Sequence, residues 1–286
     1  MEQVFPNYYE KFRCIADKCK HSCCIGWEID IDEDTLDLYK SLEGEWGKKI
    51  RDKIGGEPPH FILGEEERCP FLNEKGLCDI VSEFGDDGLC DICYLHPRFN
   101  NDYDDFTETG LGLCCEEVAR IILTDKEKFY IPLPESVKAD DFFKERQEVF
   151  DILQDRSISV PARFEKLAKK YDTKFEFANK VLYDVFTSLV RFDKSWEDVL
   201  ERLKKEEDES VFERADLQIF FEQLACYFIF RHFKNGVGFA LISCWVIGQL
   251  CCECTSLDEM IDVARMYSSE IEYCEENTQI VVDFNK

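Results

Sequence analysis

The chain has 286 residues with 35 basic and 61 acidic side chains, a net charge of 35 − 61 = −26. A surface that negative repels phosphate backbones and anionic headgroups, which excludes nucleic acid as a main partner and favours cationic groups such as a lysine side chain or a sulfonium. Sixteen cysteines in 286 residues fall short of the density of small secreted disulfide scaffolds. The stretch Met1-Glu2-Gln3-Val4-Phe5-Pro6 has no basic segment followed by an apolar run, so a cytoplasmic chain with reduced thiols is expected.

The thiols open the chain. Cys14, Cys19, Cys23 and Cys24 lie within eleven residues, and Cys69 with Cys78, Cys90 with Cys93, and the adjacent Cys114 and Cys115 follow. Ten of the sixteen cysteines thus fall within residues 1–115, in short clusters separated by loops. Metal centres take this form, because one tight turn aims only two or three sulfurs at a point. One C-x2-C unit, Cys90 to Cys93, is too few for a zinc knuckle, and the clusters are too many for a single tetrahedral ion. An iron–sulfur centre, or two, therefore ranks above zinc.

Between these clusters, Trp27–Ile31 alternates apolar and acidic residues as a short strand does. Leu36, Tyr39 and Leu42 have helical spacing after Asp34, the expected N-cap. A second short helix is predicted over 46–54, stopped by Gly55-Gly56-Glu57-Pro58-Pro59. Residues 61–110 are rich in Asn, Asp and Gly, so their rigidity is expected from a bound metal. Within and beside this region, His96 before Pro97 is read as a hydrogen-bonding group and Arg98 as a fork able to clamp a carboxylate. Gly110-Leu-Gly112 lacks the third glycine of a phosphate-binding turn.

Helical spacing returns over 114–123, and a boundary is expected at 131–137, dividing the chain into a cysteine-rich region 1–134 and a helical region 135–286. Helices are predicted over 139–155, 162–171, 174–192, 195–206, 210–234, 237–252 and 257–275, with a loose tail after them. The fold class is therefore mainly α: a loop-rich, cysteine-cluster N-terminal half with little strand, followed by a helical bundle. Eighteen residues from Asn235 to Cys252 carry no charge. That length sits at the edge of a membrane span but lacks a basic collar, and a central bundle helix is the expectation. Cys226, Cys244 and Cys251 are expected to act as small buried hydrophobes; Cys251-Cys252-Glu253-Cys254 could also bind a ligand.

Four motifs recur in order: Phe12-x-Cys14-x4-Cys19-x3-Cys23-Cys24-x-Gly26-Trp27; Cys69-Pro-Phe-Leu72 to Leu77-Cys78; Cys93-x3-Pro97-Arg98; and Leu113-x-Cys115-x-Glu117-x-Ala119-Arg120. Over residues 5–125 they resemble the flagellin lysine-N-methylase family, which is related to cysteine-rich zinc- or iron-chelating domains. The resemblance implies S-adenosylmethionine-dependent methyl transfer to lysines of flagellin or another lysine-bearing protein, with a [4Fe-4S] cluster. It places the family cysteines on Cys14, Cys19, Cys23, Cys24, Cys69, Cys78, Cys93 and Cys115, leaving Cys90 and Cys114 as extras. The acceptor lysine must lose a proton, for which Glu108, Glu116 and Glu117 are the candidate bases, and Arg98 is the candidate for holding the methyl donor. The C-x3-C-x2-C radical motif is absent, since Gly26 stands where its last cysteine would be, and no glycine-rich donor fold is evident. The rival class is a non-catalytic metal- or iron–sulfur-binding module.

Overall fold

The computed structural model describes residues 2–137 and 140–285. Helix accounts for 56% of the chain and strand for 8%, so the fold is mainly α. The chain forms two compact units: Arg13–Phe99, and a larger one made of the segment up to Phe12 with everything from Asn100 onward. The expected break at 131–137 lies inside the larger unit, because β1 (Glu2–Val4) pairs in parallel with β5 (Phe106–Leu111). The sheet order is β1-β5-β4, with β4 at Arg98–Asp102.

The smaller unit is built from α1 (Glu33–Ser41), α2 (Gly44–Arg51), the two-stranded pair β2 (Ile54–Gly55) and β3 (His60–Phe61), α3 (Asp79–Phe84) and α4 (Asp91–Leu95). These short elements modify the expectation of a loop-rich half. Trp27–Ile31 forms no strand; Asp30 makes only an isolated bridge to His60. The cap of α1 is Asp32 rather than Asp34: its side chain accepts from the Thr35 amide at 2.8 Å, leaving Asp34 inside the first turn. Ile29, Ile31, Tyr39, Ile50, Phe61 and Phe71 form the apolar core, joined by Cys69 and Cys90.

The larger unit contains α5 (Glu116–Thr124), α6 (Asp141–Leu153), α7 (Val160–Lys170), α8 (Asn179–Ser188), α9 (Ser195–Leu200), α10 (Ser210–Glu213), α11 (Gln218–His232), α12 (Val237–Cys251), α13 (Leu257–Tyr267) and α14 (Glu275–Phe284). Every residue of α12 but Gly238 is buried, which explains a run without charges: it is the central helix, packed on α11, α7 and α13. None of the described helices is long and apolar enough to cross a membrane. Gly248 is required there. A Cβ would stand 2.3 Å from the Phe212 ring, which stacks on Trp245 at 5.4 Å.

The predicted helix 210–234 is broken. The Gln218 amide side chain donates to the Phe212 and Arg214 carbonyls, capping α10 where one helix was expected. The chain after α13 continues as a π-helical turn, Ser268–Glu272. The expected loose tail is α14, anchored by buried Asn277, whose side chain donates to Val190 and Glu270 carbonyls at 2.8 and 2.7 Å.

Candidate metal centre

Backbone pairing brings the first two thiol segments of the smaller unit side by side. The Cys69 amide donates to the Cys24 carbonyl at 2.8 Å, the Gly26 amide to Glu67 at 3.2 Å, and Ile25 bridges Arg68. Cys78 is then set against the same segment, because Leu72 bridges Cys78 and the Asp79 amide donates to Phe71 at 2.8 Å. Asn73 shapes the intervening turn, accepting from the Lys75 and Leu77 amides at 2.9 and 3.1 Å.

Cys90 caps α4 and Cys93 lies one turn inside it. Tyr39 holds this segment by donating to the Gly88 carbonyl at 2.7 Å, and Asp32 by accepting from the Asp91 amide at 2.8 Å. Five thiols, Cys24, Cys69, Cys78, Cys90 and Cys93, therefore share one neighbourhood around the core. The rigidity expected from a metal already has a hydrogen-bonded frame.

Their protonation reflects that crowding. Burial pushes the Cys69 thiol up to about 12 and raises Cys78 as well. The Cys93 thiol donates to Cys90, drawing Cys90 down and Cys93 up. Cys24 is drawn down to about 7, chiefly by a hydrogen bond from Cys23, with Arg68 contributing positive charge. Arg68 is itself held by the Leu72 and Asn73 carbonyls at 3.2 and 2.7 Å. Together these sulfurs form a donor set with one guanidinium beside it, suited to a polyvalent cation as its counter-charge.

No three of these sulfurs lie within 4.8 Å of one another among the described residues. A tetrahedral thiolate zinc site needs edges of roughly 3.8 Å, from Zn–S bonds of about 2.3 Å. The trio whose donor atoms do fall within 4.8 Å of one another is Glu28, Asp30 and His60, with both carboxylates exposed.

The other expected residues lie as follows. Cys14 is exposed, its sulfur accepting from the Ala16 amide at 3.4 Å, and Cys19 lies 3.3 Å from the His21 carbonyl. Cys23 is exposed beside Cys24. Arg98 Nη1 donates to the Tyr94 carbonyl at 3.3 Å. Cys90, set apart as an extra, packs in the same core cluster as Cys69, with Cys24, Cys78 and Cys93 against it.

In the larger unit Cys114 and Cys115 precede α5. Glu108 does not stand free as a base: it is fully buried and both its oxygens accept from Arg146, one at 2.8 Å. Glu117 is paired with Arg120, at 2.5 and 2.7 Å, and Glu116 sits half-buried in the first turn of α5.

A buried polar network supports the turn before the Cys114 and Cys115 pair. The Tyr227 hydroxyl accepts from the Leu113 amide at 3.2 Å and from Arg231 at 2.8 Å, and donates to Glu272 at 3.0 Å. Asn235 donates to His232 Nδ1 at 3.4 Å, which makes Nε2 the proton-bearing nitrogen facing Glu272 at 2.6 Å. Burial resists the charge on Glu272, but Arg231 and His232 outweigh it and hold the carboxyl below its ordinary range. A Cβ at Gly112 would come within 2.2 Å of the Tyr273 hydroxyl, so any larger residue there would displace that ring. Sequence reasoning missed Tyr227, Arg231 and Glu272 because they come from segments more than one hundred residues downstream of this turn.

Comparison with known proteins gives the following. The lysine-N-methylases of Salmonella typhimurium (strain LT2) and Salmonella choleraesuis (strain SC-B67) are each 26% identical over 142 residues, covering 43% of this chain and 32% of theirs. The flagellar biosynthetic protein FliU of Salmonella muenchen is 26% identical over 142 residues, covering 43% of this chain and 77% of its own length. The chain therefore matches about a third of the length of the two lysine-N-methylases. No family model and no solved structure matches. Over part of its length, the chain is similar to the flagellin lysine-N-methylase family, as its cysteine motifs indicate.

Proposed function

We propose that the chain is a protein-lysine N-methyltransferase that uses S-adenosylmethionine, depends on a [4Fe-4S] cluster, and acts on flagellin or another lysine-bearing protein in the cytoplasm. The observation that carries this reading is the neighbourhood of Cys24, Cys69, Cys78, Cys90 and Cys93 in a chain similar to proteins named lysine-N-methylase. Cys24 and Cys90, the two sulfurs of this set held below the ordinary thiol range, would bind most readily as thiolates. Bound there, an iron–sulfur cluster would supply redox capacity and, at an iron without a cysteine, a seat for the donor's amino and carboxylate groups. The motif cysteines outnumber the three thiolates that such a cluster would take, so a second centre is compatible with their number.

The chain's own residues bear on the acceptor. Lysine titrates near about 10.4 in water, so its ammonium must lose a proton before its nitrogen can attack. A surface of net charge −26 attracts that ammonium. Of the three carboxylates considered as base, Glu108 accepts from Arg146 and Glu117 from Arg120, while Glu116 lies half-buried in the first turn of α5. In polar transfer the amine nitrogen forms the new bond to the methyl carbon as the carbon–sulfur bond breaks. The sulfonium then leaves as a thioether, and the released proton goes to the base or to water.

The test is anaerobic purification followed by incubation with isotope-labelled S-adenosylmethionine and flagellin from the same cell. Labelled methyl-lysine that requires iron and sulfide in the protein is the expected result. Iron-loaded protein that leaves lysine unlabelled would overturn the enzyme reading in favour of a metal-binding module.

A further inference from the structure

A second thiol group lies at the C-terminal end of α12, in the larger unit. Cys251 is the last residue of that helix, the chain turns over Cys252 and Glu253, and the Cys254 amide donates back to the Cys251 carbonyl at 2.9 Å. Such a turn keeps its first and fourth Cα atoms within about 7 Å. That range overlaps the roughly 4.4–6.8 Å that a disulfide spans. The Cys251 thiol lies within hydrogen-bonding reach of both the Cys254 sulfur and the Met260 carbonyl, the latter at 3.9 Å, whereas Cys252 points away, its sulfur 3.4 Å from the Gly248 carbonyl.

Charge arrives from outside the motif. The negative end of a helix dipole opposes a thiolate at this position, so a cation must compensate. Arg202 does so: its Nη1 lies 3.3 Å from Cys254 Sγ and donates to the Leu250 carbonyl at 2.8 Å, which fixes the guanidinium at the helix end. Cys254 is drawn down to about 7, first by the Cys251 hydrogen bond and then, against burial, by Arg202. Cys251, fully buried, is pushed the other way. Cys254 is 9% exposed and Cys251 is not exposed at all, so Cys254 is the more accessible residue of the two.

We propose that Cys251 and Cys254 form a reversible dithiol–disulfide site, with Cys254 the attacking sulfur, Cys251 the resolving sulfur and a low-molecular-weight disulfide as oxidant. Cys254 attacks one sulfur of that disulfide, breaking its S–S bond, releasing one small thiolate and forming a mixed disulfide. Cys251 then loses its proton to solvent and displaces the second small thiol, closing the Cys251–Cys254 bond. Two electrons pass from the protein sulfurs to the small disulfide, which leaves as two thiols. The site goes beyond methyl transfer and does not depend on it.

The test is peptide mapping of the anaerobically purified full chain after incubation with oxidised glutathione. The expected product is an intramolecular Cys251–Cys254 disulfide that dithiothreitol reverses. In Cys251→Ser the mixed disulfide on Cys254 accumulates instead of resolving. In Arg202→Gln, modification of Cys254 near neutral pH slows by roughly twofold for the first unit by which its pKa rises from about 7, since a roughly fivefold loss of thiolate is partly offset by greater nucleophilicity. Recovery of both residues as free thiols, under conditions that fully modify exposed Cys14 and Cys23, would overturn the proposal. So would a Cys251→Ser chain that never traps glutathione on Cys254.

Discussion

The two compact units are held together by different means. In the larger one, α12 is buried along almost its whole length and buried Glu222 gathers two arginines, Arg163 and Arg156 donating to it at 2.8 and 2.7 Å. In the smaller one the helices run five to nine residues, and long side chains tie loop to loop by bonding backbone groups: Arg68 to Leu72 and Asn73, Tyr39 to Gly88, Asp32 to Asp91. The first unit gains its stability from apolar burial, which needs no cofactor. The second has a small core into which cysteines intrude, so its stability is coupled to the state of those sulfurs.

The contrast can be broken from either side. Trp245→Ala removes a fully buried ring stacked on Phe212 and edge-on to Phe175. It should destabilise the chain by about 3–5 kcal/mol, read by thermal or denaturant unfolding. Glu222→Gln strands two guanidiniums, one of them 3% exposed, and is expected to cost about 3 kcal/mol while the smaller unit's hydrogen-exchange protection stays unchanged.

Arg68→Met acts on the other side. It removes charged hydrogen bonds to two carbonyls and the positive charge beside Cys24, a loss of about 1.5–3 kcal/mol. Iron content should fall with it, while the far-ultraviolet helical signal, which comes mostly from the larger unit, should hardly move. Asp32→Ala should cost about 1 kcal/mol by uncapping α1 and releasing the Asp91 amide ahead of Cys93.

A smaller effect is pH dependence in the larger unit. Burial holds His232 below its ordinary 6.5 against the pull of Glu272, and Glu272 itself lies below 4.5. Both are depressed groups, so their contribution is present above the unfolded values and is lost as pH falls, from about 6.5 downward for His232 and from about 4.5 downward for Glu272. Glu270, raised by burial, works in the opposite sense over the acid range and softens the slope. Thermal midpoints measured from pH 7.5 to pH 4 should therefore decline, and His232→Asn should remove the upper part of the decline.

Much of the fold was legible because hydrophobic spacing is local information. The uncharged run 235–252 read as a core helix, and the helices it packs against carried their own apolar stripes. Local competition was not legible: Asp32 and Asp34 are both good caps, and the former gains a second donor in the Asp91 amide, fifty-nine residues away. α14 was missed because Asn277, a polar residue, anchors it from inside. Among the thiols the clustering was visible in the sequence, but not which of them the fold packs together: Cys90 joins Cys24, Cys69, Cys78 and Cys93 because α4 is docked by Tyr39 and Asp32.

The central claim is that Cys24, Cys69, Cys78, Cys90 and Cys93 together hold iron. The measurement that tests it most directly is iron and sulfide per chain in anaerobically purified protein, compared with the double variant Cys90→Ser/Cys93→Ser, which leaves three of the five sulfurs in that pocket. The account predicts coloured, iron- and sulfide-bearing parent protein and a variant that has lost the metal of that centre while keeping the helical signal of the larger unit. Equal iron and sulfide in the two proteins would contradict it.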